Sequence, residues 1–360
     1  MGREYRVGVV GVYRGGSLAG QLAVFPRTKV VALCDVDGER LAQAGKEFSV
    51  PDRFLFTSYE GFLGAPLDVI VVATPIPLHA EHVTRALDSG RHVLSEVTAA
   101  DTLEGCERIV SAVKRTGRIY MMAENACYFY FIREWKRWIE QGRLGTLFYA
   151  ESEYIHELHD LIRDPKTGKT FWRVNRPPIH YISHSLGPLL YLMEDRVVKV
   201  TCADAGYGML PDLGRGCLNM EVALFKTARG RVIKILRSQV AYREPRMHYY
   251  SLYGTGGYLE NGRGREPSGM LFAVDEMGKE EGHRVIECPI SEPGAPADRL
   301  QGGHGTTEYF LIRDYVEALD RGTKPPIDVV RAMDFTVPGI IADESAKKDG
   351  LWLDVPQFSW

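Results

Sequence analysis

The sequence predicts an α/β fold in which a doubly wound parallel sheet precedes a C-terminal α/β domain with a large, open and mainly antiparallel sheet. Strand-like apolar runs alternate with helical patterns up to about residue 122, which is typical of parallel sheets. Strand-like runs then follow one another without intervening helices, which favours antiparallel pairing. Because 360 residues exceed the size at which single cores stop growing, we expect two domains, 1–122 and 123–360.

The first element pair is a strand that ends in a glycine-rich turn. Residues 6–16 begin as an apolar run and break into glycines at Gly11 and Gly16, and a second apolar run ends at Asp35. A dinucleotide needs a tight turn and a helix N-terminus for its pyrophosphate, and a carboxylate for its ribose hydroxyls. Tyr13 stands where a second glycine would let the backbone approach the pyrophosphate. The strand context and Asp35 still favour a Rossmann cofactor site over a plain glycine turn.

The acidic residue at the second strand end indicates which dinucleotide is bound. Asp35 would repel a 2′-phosphate, and neither Val36 nor Asp37 offers the positive charge that NADP needs. The sequence therefore predicts NAD as the cofactor.

The remaining elements follow from hydrophobic periodicity. In the first domain we expect helices over 38–48, 79–90 and 102–117, and strands over 67–74, 92–96 and 118–122. In the second we expect strands over 144–154, 197–203, 217–227, 232–242 and 249–254, helices over 131–142, 309–321 and 329–348, and loops over 260–305.

Composition excludes several classes of protein. A hydrophobic fraction of 45%, a charged fraction of 25% and a net charge of −3 are typical of a globular protein and give no electrostatic reason to bind nucleic acid or membranes. No apolar run reaches the length of a transmembrane helix. The six scattered cysteines contain no C-x-x-C pair, so we expect neither a disulfide framework nor a metal site, and a cytoplasmic location.

Polar residues follow three predicted strands of the first domain, where open α/β sheets bind ligands. Helix capping is an alternative explanation for Thr74. It does not explain Glu96 and Glu124, because a carboxylate at the end of a buried strand needs a ligand or partner to offset its desolvation. The cofactor-site candidates here are Thr74, His79, Glu96 and Asn125, and we expect the last two near the nicotinamide half.

A second group of candidates lies in the C-terminal domain. Tyr181 and His184 are three residues apart and share one face of a predicted helix, where a phenol and an imidazole form a plausible acid/base pair. The alternative is that these residues only pack at an interface. The clustering of polar candidates favours function, and the candidates for substrate contact are Arg173, His156, His180 and His304, the last in a glycine-rich loop that is equally consistent with a surface turn.

These residues resemble the Gfo/Idh/MocA oxidoreductases over essentially the whole chain. The resemblance rests on Ala73-Thr74-Pro75, His79 and the segment Gly90–Glu96. Ordinary members read Glu-Lys-Pro after that strand, where the lysine assists hydroxyl deprotonation, and carry an aspartate four residues before the catalytic histidine. Val97 and His180 occupy those positions here, which argues against the standard inositol- or glucose-dehydrogenase mechanism.

One branch of the family is similar at these departures, namely the NAD-dependent glycosidases typified by α-N-acetylgalactosaminidase. The shared motifs are Glu96-Val97, Met121-Met122-Ala123-Glu124-Asn125, Tyr154-Ile155-His156, Trp172-Arg173, Tyr181-Ile182-Ser183-His184 with Leu186-Gly187-Pro188, and Gly302-Gly303-His304-Gly305. The resemblance implies that the catalytic residues are Glu124, Tyr154, Tyr181 and His184. The chain is shorter than those glycosidases between Tyr154 and Tyr181, and Glu157 replaces an aspartate, so the sugar need not be N-acetylgalactosamine.

The resemblance implies an enzyme that uses NAD to oxidise a ring hydroxyl of a sugar or glycoside, with glycoside cleavage following by elimination, hydration and reduction. A plain NAD-dependent sugar or polyol dehydrogenase is the alternative within enzymes, and a non-catalytic NAD or sugar sensor is the alternative outside them. We also expect a homo-oligomer, a dimer or a tetramer, because the open sheet over about residues 197–254 leaves an apolar face.

Overall fold

The computed structural model describes residues 4–244, 247–262, 269–273, 284–286 and 306–360. The chain divides into two compact units. The first comprises residues 1–125, 291–333 and 358–360, and the second comprises 126–290 and 334–357. This division differs from the expected boundaries because part of the C-terminal region returns to the first unit. There the Ile327 carbonyl accepts a hydrogen bond from the Met122 amide, and the Asp320 carboxylate accepts one from the Tyr5 hydroxyl.

The first unit contains the predicted doubly wound sheet. Its strands are β1 (Tyr5–Val10), β2 (Thr28–Cys34), β3 (Leu55–Phe56), β4 (Val69–Val72), β5 (His92–Ser95) and β6 (Tyr120–Met122). They are all parallel, in the order β3-β2-β1-β4-β5-β6. The order reverses beside β1, and a sheet of this kind binds its ligand at that point, beyond the carboxyl ends of the strands. Strand β3 lies outside the predicted elements, because two residues are too few to show a period.

Two of the five helices described within residues 4–125 of the first unit begin at a capping side chain. The five helices are α1 (Val12–Val24), α2 (Gly38–Glu47), α3 (Tyr59–Leu63), α4 (His79–Asp88) and α5 (Leu103–Thr116). The Asp37 carboxylate accepts from the Arg40 amide at the start of α2, and the Thr102 hydroxyl accepts from the Gly105 amide at the start of α5. Helix α5 ends at Gly117, which has a left-handed backbone conformation.

The second unit is built on a nine-stranded sheet. Its strands are β7 (Leu147–Ile155), β8 (Val197–Asp204), β9 (Glu221–Thr227), β10 (Val232–Ser238), β11 (Met247–Gly254), β12 (Gly257–Asn261), β13 (Gly269–Ala273), β14 (Arg284–Ile286) and β15 (Leu353–Asp354). The order is β14-β13-β12-β11-β7-β10-β9-β8-β15. Strands β7 and β10 pair in parallel and the other described neighbours pair antiparallel, which confirms a mainly antiparallel sheet. The expectation of loops alone over 260–305 was wrong, because β13, β14 and the end of β12 extend the sheet there.

The remaining helices are α6 (Tyr130–Glu140), α7 (His159–Ile162), α8 (Ser183–Met193), α9 (Thr306–Arg321) and α10 (Val329–Ala346). Helix α8 packs against β7 and β11 and so covers one face of the second sheet. Strand β9 shows the two faces: Ala223 and Phe225 are fully buried, whereas the alternating Val222 and Leu224 are 40% and 39% exposed. Within the described residues, no helix combines the length and apolar character needed to cross a bilayer.

Candidate active site

The glycine-rich turn of the first unit connects β1 to the start of α1. Gly11 has φ +86°, and a Cβ atom there would lie 2.5 Å from the carbonyl carbon of Ala73 and 2.7 Å from the amide nitrogen of Thr74. Its amide donates to the Cys34 carbonyl at 2.9 Å. The turn therefore needs glycine at this position, both for its backbone angle and for its close approach to the end of β4.

The two following glycines differ in their surroundings. A Cβ atom at Gly15 would lie 2.7 Å from Val9 Cγ1, whereas one at Gly16 would meet nothing within 4 Å. Gly15 is thus the glycine that lets α1 pack closely on the sheet, and the role of Gly16 in cofactor binding stays a prediction. Tyr13 is 70% exposed and Arg40 stacks over its ring at 4.6 Å, so its side chain does not fill the turn.

Asp35 lies at the carboxyl end of β2, beside the same turn. Its carboxylate accepts from the Val12 amide at 2.9 Å and from the Asp37 amide at 3.0 Å. These bonds hold a negative charge next to the N-terminus of α1. A close-packed glycine turn, a helix N-terminus and an acid at the end of the second strand are the parts that a dinucleotide requires, so these residues fit NAD.

The loops after β4 and β5 are joined by a buried histidine. His79 is fully buried, and its two ring nitrogens face the carbonyl oxygens of Thr74 at 2.7 Å and Thr98 at 2.8 Å. The Thr74 hydroxyl lies 3.2 Å from His82 Nδ1. His79 therefore connects the two loops through its contacts with their carbonyl oxygens, whereas Thr74 lies at the strand end where a ligand would bind.

Glu96 belongs to a charged cluster in the first unit. Its Oε1 lies 2.8 Å from Arg14 Nη2, and the same Arg14 nitrogen lies 3.0 Å from Glu308 Oε1. The Ser17 hydroxyl donates to Glu308 at 2.6 Å. Sequence reasoning predicted Glu96 but missed Arg14 and Glu308. The position of Arg14 in the first turn of α1, within the glycine-rich segment, was the available signal.

Two further candidates of the first unit follow β6. Glu124 is completely buried and Asn125 is 3% exposed. Burial removes these polar groups from water, which agrees with the expectation that a ligand or a partner group offsets their desolvation. Their roles, catalysis for Glu124 and nicotinamide binding for Asn125, stay predictions.

The second unit gathers phenol and imidazole side chains at the end of β7 and the start of α8. His184 Nε2 lies 3.2 Å from the Tyr181 hydroxyl, and the Tyr154 hydroxyl lies 3.0 Å from His156 Nδ1. The ring centroids of Tyr154 and His184 are 5.8 Å apart. The structure thus brings together four residues that the sequence singled out, and we call Tyr154, His156, Tyr181 and His184 the phenol–imidazole cluster.

Two neighbouring strands add residues that sequence reasoning missed. On β11, the His248 ring lies 4.7 Å from the Tyr154 ring, and the Tyr250 hydroxyl lies 3.1 Å from His248 Nδ1 and donates to the His184 carbonyl. On β10, the guanidinium carbon of Arg237 lies 4.0 Å from the centroid of Tyr154. The charge of a buried arginine next to the phenols is an electrostatic feature that no motif indicated.

The position of Arg237 is chemically unusual. It is 1% exposed, and burial lowers the pKa of its guanidinium to about 10, although Tyr154, Tyr181 and Tyr250 act to raise it. A guanidinium with this pKa remains a cation at neutral pH. The phenol–imidazole cluster therefore lies against a fixed positive charge that water does not screen.

The other predicted substrate residues lie in different surroundings. Arg173 stacks over the Trp172 ring at 4.3 Å, and His180 Nε2 lies 3.6 Å from Asp343 Oδ2. Burial lowers the pKa of His180, whereas its bond to Asp343 acts in the opposite direction. Burial also acts to raise the pKa of Asp343, but hydrogen bonds to His180 and Lys347 lower it to about 2. His180 thus faces the buried carboxylate of Asp343, and its predicted contact with substrate stays a prediction.

His304 lies outside the described residues. Over the part of the chain that the structure does describe, no three or more His, Cys, Asp or Glu side chains are grouped as metal ligands.

Comparison with known proteins relates the first unit to a known class. Residues 5–124 match the model of the Gfo/Idh/MocA oxidoreductase family, which describes an NAD-binding Rossmann fold. This part of the chain is therefore similar to the NAD-binding domain of that family, which the motifs also resemble.

Relatives and solved structures extend the similarity over the whole chain. A glycosyl hydrolase family 109 protein of Shewanella sp. (strain W3-18-1) is 26% identical, and the match covers 98% of this chain and 85% of the relative. A glycosyl hydrolase family 109 protein of Solibacter usitatus is also 26% identical, and that match covers 98% of this chain and 88% of the relative. A levoglucosan dehydrogenase in complex with NADH and L-sorbose superimposes with a TM-score of 0.85 at 19% identity, over 99% of this chain and 100% of that one. For the aldose-aldose oxidoreductase of Caulobacter crescentus the TM-score is 0.79 at 18% identity, over 98% and 100%. At this level of identity the structures show a shared fold.

Proposed function

We propose that this protein is an NAD-dependent enzyme that oxidises a ring hydroxyl, of the C3 type, in a sugar or glycoside, and that the reaction continues to glycoside cleavage. The 3.2 Å contact between His184 Nε2 and the Tyr181 hydroxyl, with Tyr154 beside it, is the observation that carries the proposal. The full-length similarity to glycosyl hydrolase family 109 proteins supports the extension to cleavage.

The cofactor is assigned to residues of the first unit. Gly11 and the start of α1 suit a pyrophosphate, and the Asp35 carboxylate suits the ribose hydroxyls. NAD supplies the hydride acceptor and, later, the hydride donor when it is bound. The protein then has to supply binding, orientation and proton transfer, and the remaining residues are interpreted in those terms.

Proton transfer is assigned to the phenol–imidazole cluster, because Val97 cannot accept a proton. Oxidation of the C3 hydroxyl releases its proton to this cluster and makes the proton on C2 acidic. A base of the cluster removes the C2 proton, the C1 substituent leaves, water adds to C1, and C3 is reduced again. A tyrosine and a histidine within hydrogen-bonding distance, with a second tyrosine alongside, provide enough groups to take up and return these protons.

We further propose that the protein acts as a homo-oligomer. The exposed face of the second sheet carries apolar residues such as Val222 and Leu224, whereas the opposite face is buried. Exposed apolar patches on a sheet are common interfaces between copies of one chain.

The test follows hydrogen at the substrate carbons during turnover in D₂O. Cleavage through a C3 ketone predicts deuterium at C2 of the released sugar without net accumulation of NADH.

His184→Ala should slow this reaction about 10²–10⁴-fold, the usual scale for a general acid/base, with nearly unchanged NAD affinity. His159→Ala is the matched control, because His159 bonds to the Val240 carbonyl and to Tyr242, outside the cluster. NADH that accumulates in step with product, with C2 retaining its proton, would instead establish a plain dehydrogenase.

A further inference from the structure

The hydrogen bonds of the buried Arg237 guanidinium are incomplete among the described residues. Its Nε donates to the Pro178 carbonyl at 3.2 Å, and its Nη1 is buried and has no hydrogen-bond partner among the described residues. Its carbon lies over two phenol rings, 4.0 Å from the centroid of Tyr154 and 5.6 Å from that of Tyr181. Burying a cation with incomplete hydrogen bonds costs free energy. We therefore expect a negative group to lie beside the guanidinium when the protein functions.

The acid across from it does not supply that charge at neutral pH. Glu221 on β9 pairs with Arg237 in the sheet register and is fully buried. Burial, which outweighs a hydrogen bond from the Ile179 amide, raises the pKa of Glu221 to about 8. Its carboxylate is engaged instead by the Ile179 amide at 2.7 Å and lies 3.8 Å from Arg215 Nη2. A negative charge on a phenol would therefore be the counterion of the Arg237 guanidinium.

A second buried arginine and several imidazoles also lie around the phenols. Arg176, 5% exposed, stacks over the Tyr181 ring at 5.5 Å. Among the described residues, the titratable and charged side chains that face Tyr154 and Arg237 from the packed elements include His156 on β7, Tyr181 just before α8, His184 at its start, Arg176 further upstream, His248 and Tyr250 on β11, and Glu221 on β9. This environment favours a phenolate over a phenol.

We propose that Arg237 is a positioning residue that stabilises the phenolate form of Tyr154, so that this tyrosine accepts a proton from the substrate near neutral pH. The inference rests on the proposed function. The proton of the substrate hydroxyl passes to the phenolate oxygen and forms the neutral phenol; bound NAD would accept the hydride from the same carbon. The arginine exchanges no proton; it acts through its fixed charge over the ring.

The decisive measurement is the ionisation of Tyr154 in the full chain, followed by NMR of ring-labelled tyrosine and assigned with Tyr154→Phe. Arg237→Met keeps the bulk and removes the charge, and Arg237→Lys keeps the charge. Tyr154 should ionise at higher pH in Arg237→Met, and in Arg237→Lys at a pH close to that of the wild type. Arg231→Met is the control, because Arg231 precedes the same strand and is held instead by the Met193 carbonyl and Asp195.

The kinetic readout is the pH profile of kcat/KM. In Arg237→Met the acidic limb should move to higher pH by at least about one unit, so activity at pH 7 falls about tenfold or more, while Arg231→Met follows the wild type. The same Tyr154 titration in wild type and Arg237→Met would overturn the inference. If Arg237→Met does not fold, the wild type decides: ionisation of Tyr154 at or above the pH of a free tyrosine would overturn it. The titration needs no substrate, so a shifted ionisation in a protein without sugar activity would refute the proposed function and the proton transfer from substrate, and only the stabilisation of the Tyr154 phenolate by Arg237 would stand.

Discussion

Replacing each of two adjacent glycines in α1 by alanine tests the packing of the glycine-rich segment. Gly15 and Gly16 both lie in the helix Val12–Val24. A Cβ atom at Gly15 would lie 2.7 Å from Val9 Cγ1 and 3.1 Å from the Ala73 Cβ, whereas one at Gly16 would meet nothing within 4 Å. Gly15→Ala should therefore force α1 away from β1, and Gly16→Ala should not.

The expected difference follows from two terms. An alanine in a helix interior is about 0.8–1 kcal/mol more favourable than glycine, and this gain applies to both variants. Two carbon atoms pack at about 3.5–4.0 Å, so the added atom at Gly15 must be relieved by a shift approaching 1 Å, and such overpacking costs about 1–3 kcal/mol. Gly16→Ala should stabilise the first unit by about 1 kcal/mol, and Gly15→Ala should be about 1–3 kcal/mol less stable than Gly16→Ala.

Amide hydrogen exchange of β1 in the full chain measures this difference, since protection of a buried strand reports the free energy of opening of its own unit. Each 1.4 kcal/mol corresponds to about a tenfold change in exchange rate. Equal protection in the two variants, or greater protection in Gly15→Ala, would refute the assignment of the packing role to Gly15.

Three further outcomes are expected. Titrations should show tighter binding of NAD than of NADP, because Asp35 would repel a 2′-phosphate, and the reverse order would contradict that reasoning. Light scattering at micromolar concentration should find a dimer or a tetramer through the sheet over about residues 197–254, and a monomer alone would rule this interface out. Burial raises the pKa of Glu221 to about 8, so the folded protein keeps a proton that the unfolded chain releases near pH 4.3, and stability falls as pH rises between these values. Glu221→Gln should flatten that part of the urea-unfolding profile, and an unchanged slope would contradict the assignment.

Much of the first unit was predictable because its signals are local. The helix expected over 102–117 is α5, with Thr102 as its N-cap and Gly117 as its C-cap. Backbone caps and hydrophobic periods are written in a few neighbouring residues, so they can be recognised without the tertiary structure. The short strand β3 and the strands β13 and β14 escaped prediction because their residues carry too little periodicity to compete with turn signals.

The candidate site was predictable only where chemistry followed a motif. The spacing of Tyr181 and His184 predicted that their side chains lie together, and the structure places Tyr181 Oη and His184 Nε2 3.2 Å apart, although Tyr181 lies in the 3-10 turn Pro178–Tyr181 just before α8. Arg14 could not be paired in advance, because Glu308 lies 294 residues further along the chain. Arg237 reads in the sequence as an ordinary charged residue of a strand, and only the direction in which β10 turns its side chains shows that it is buried.

The sequence by itself determined the alternation of strands and helices, the glycine turn with its acid at Asp35, and the tyrosine–histidine spacing, because each depends on residues close together in the chain. The tertiary structure decided which glycine packs against the sheet, which loops His79 joins, and that the Arg237 guanidinium lies over the phenol rings. These outcomes depend on sheet order and on the face to which each strand turns its side chains. Pairing between distant segments sets both, and no local pattern encodes it.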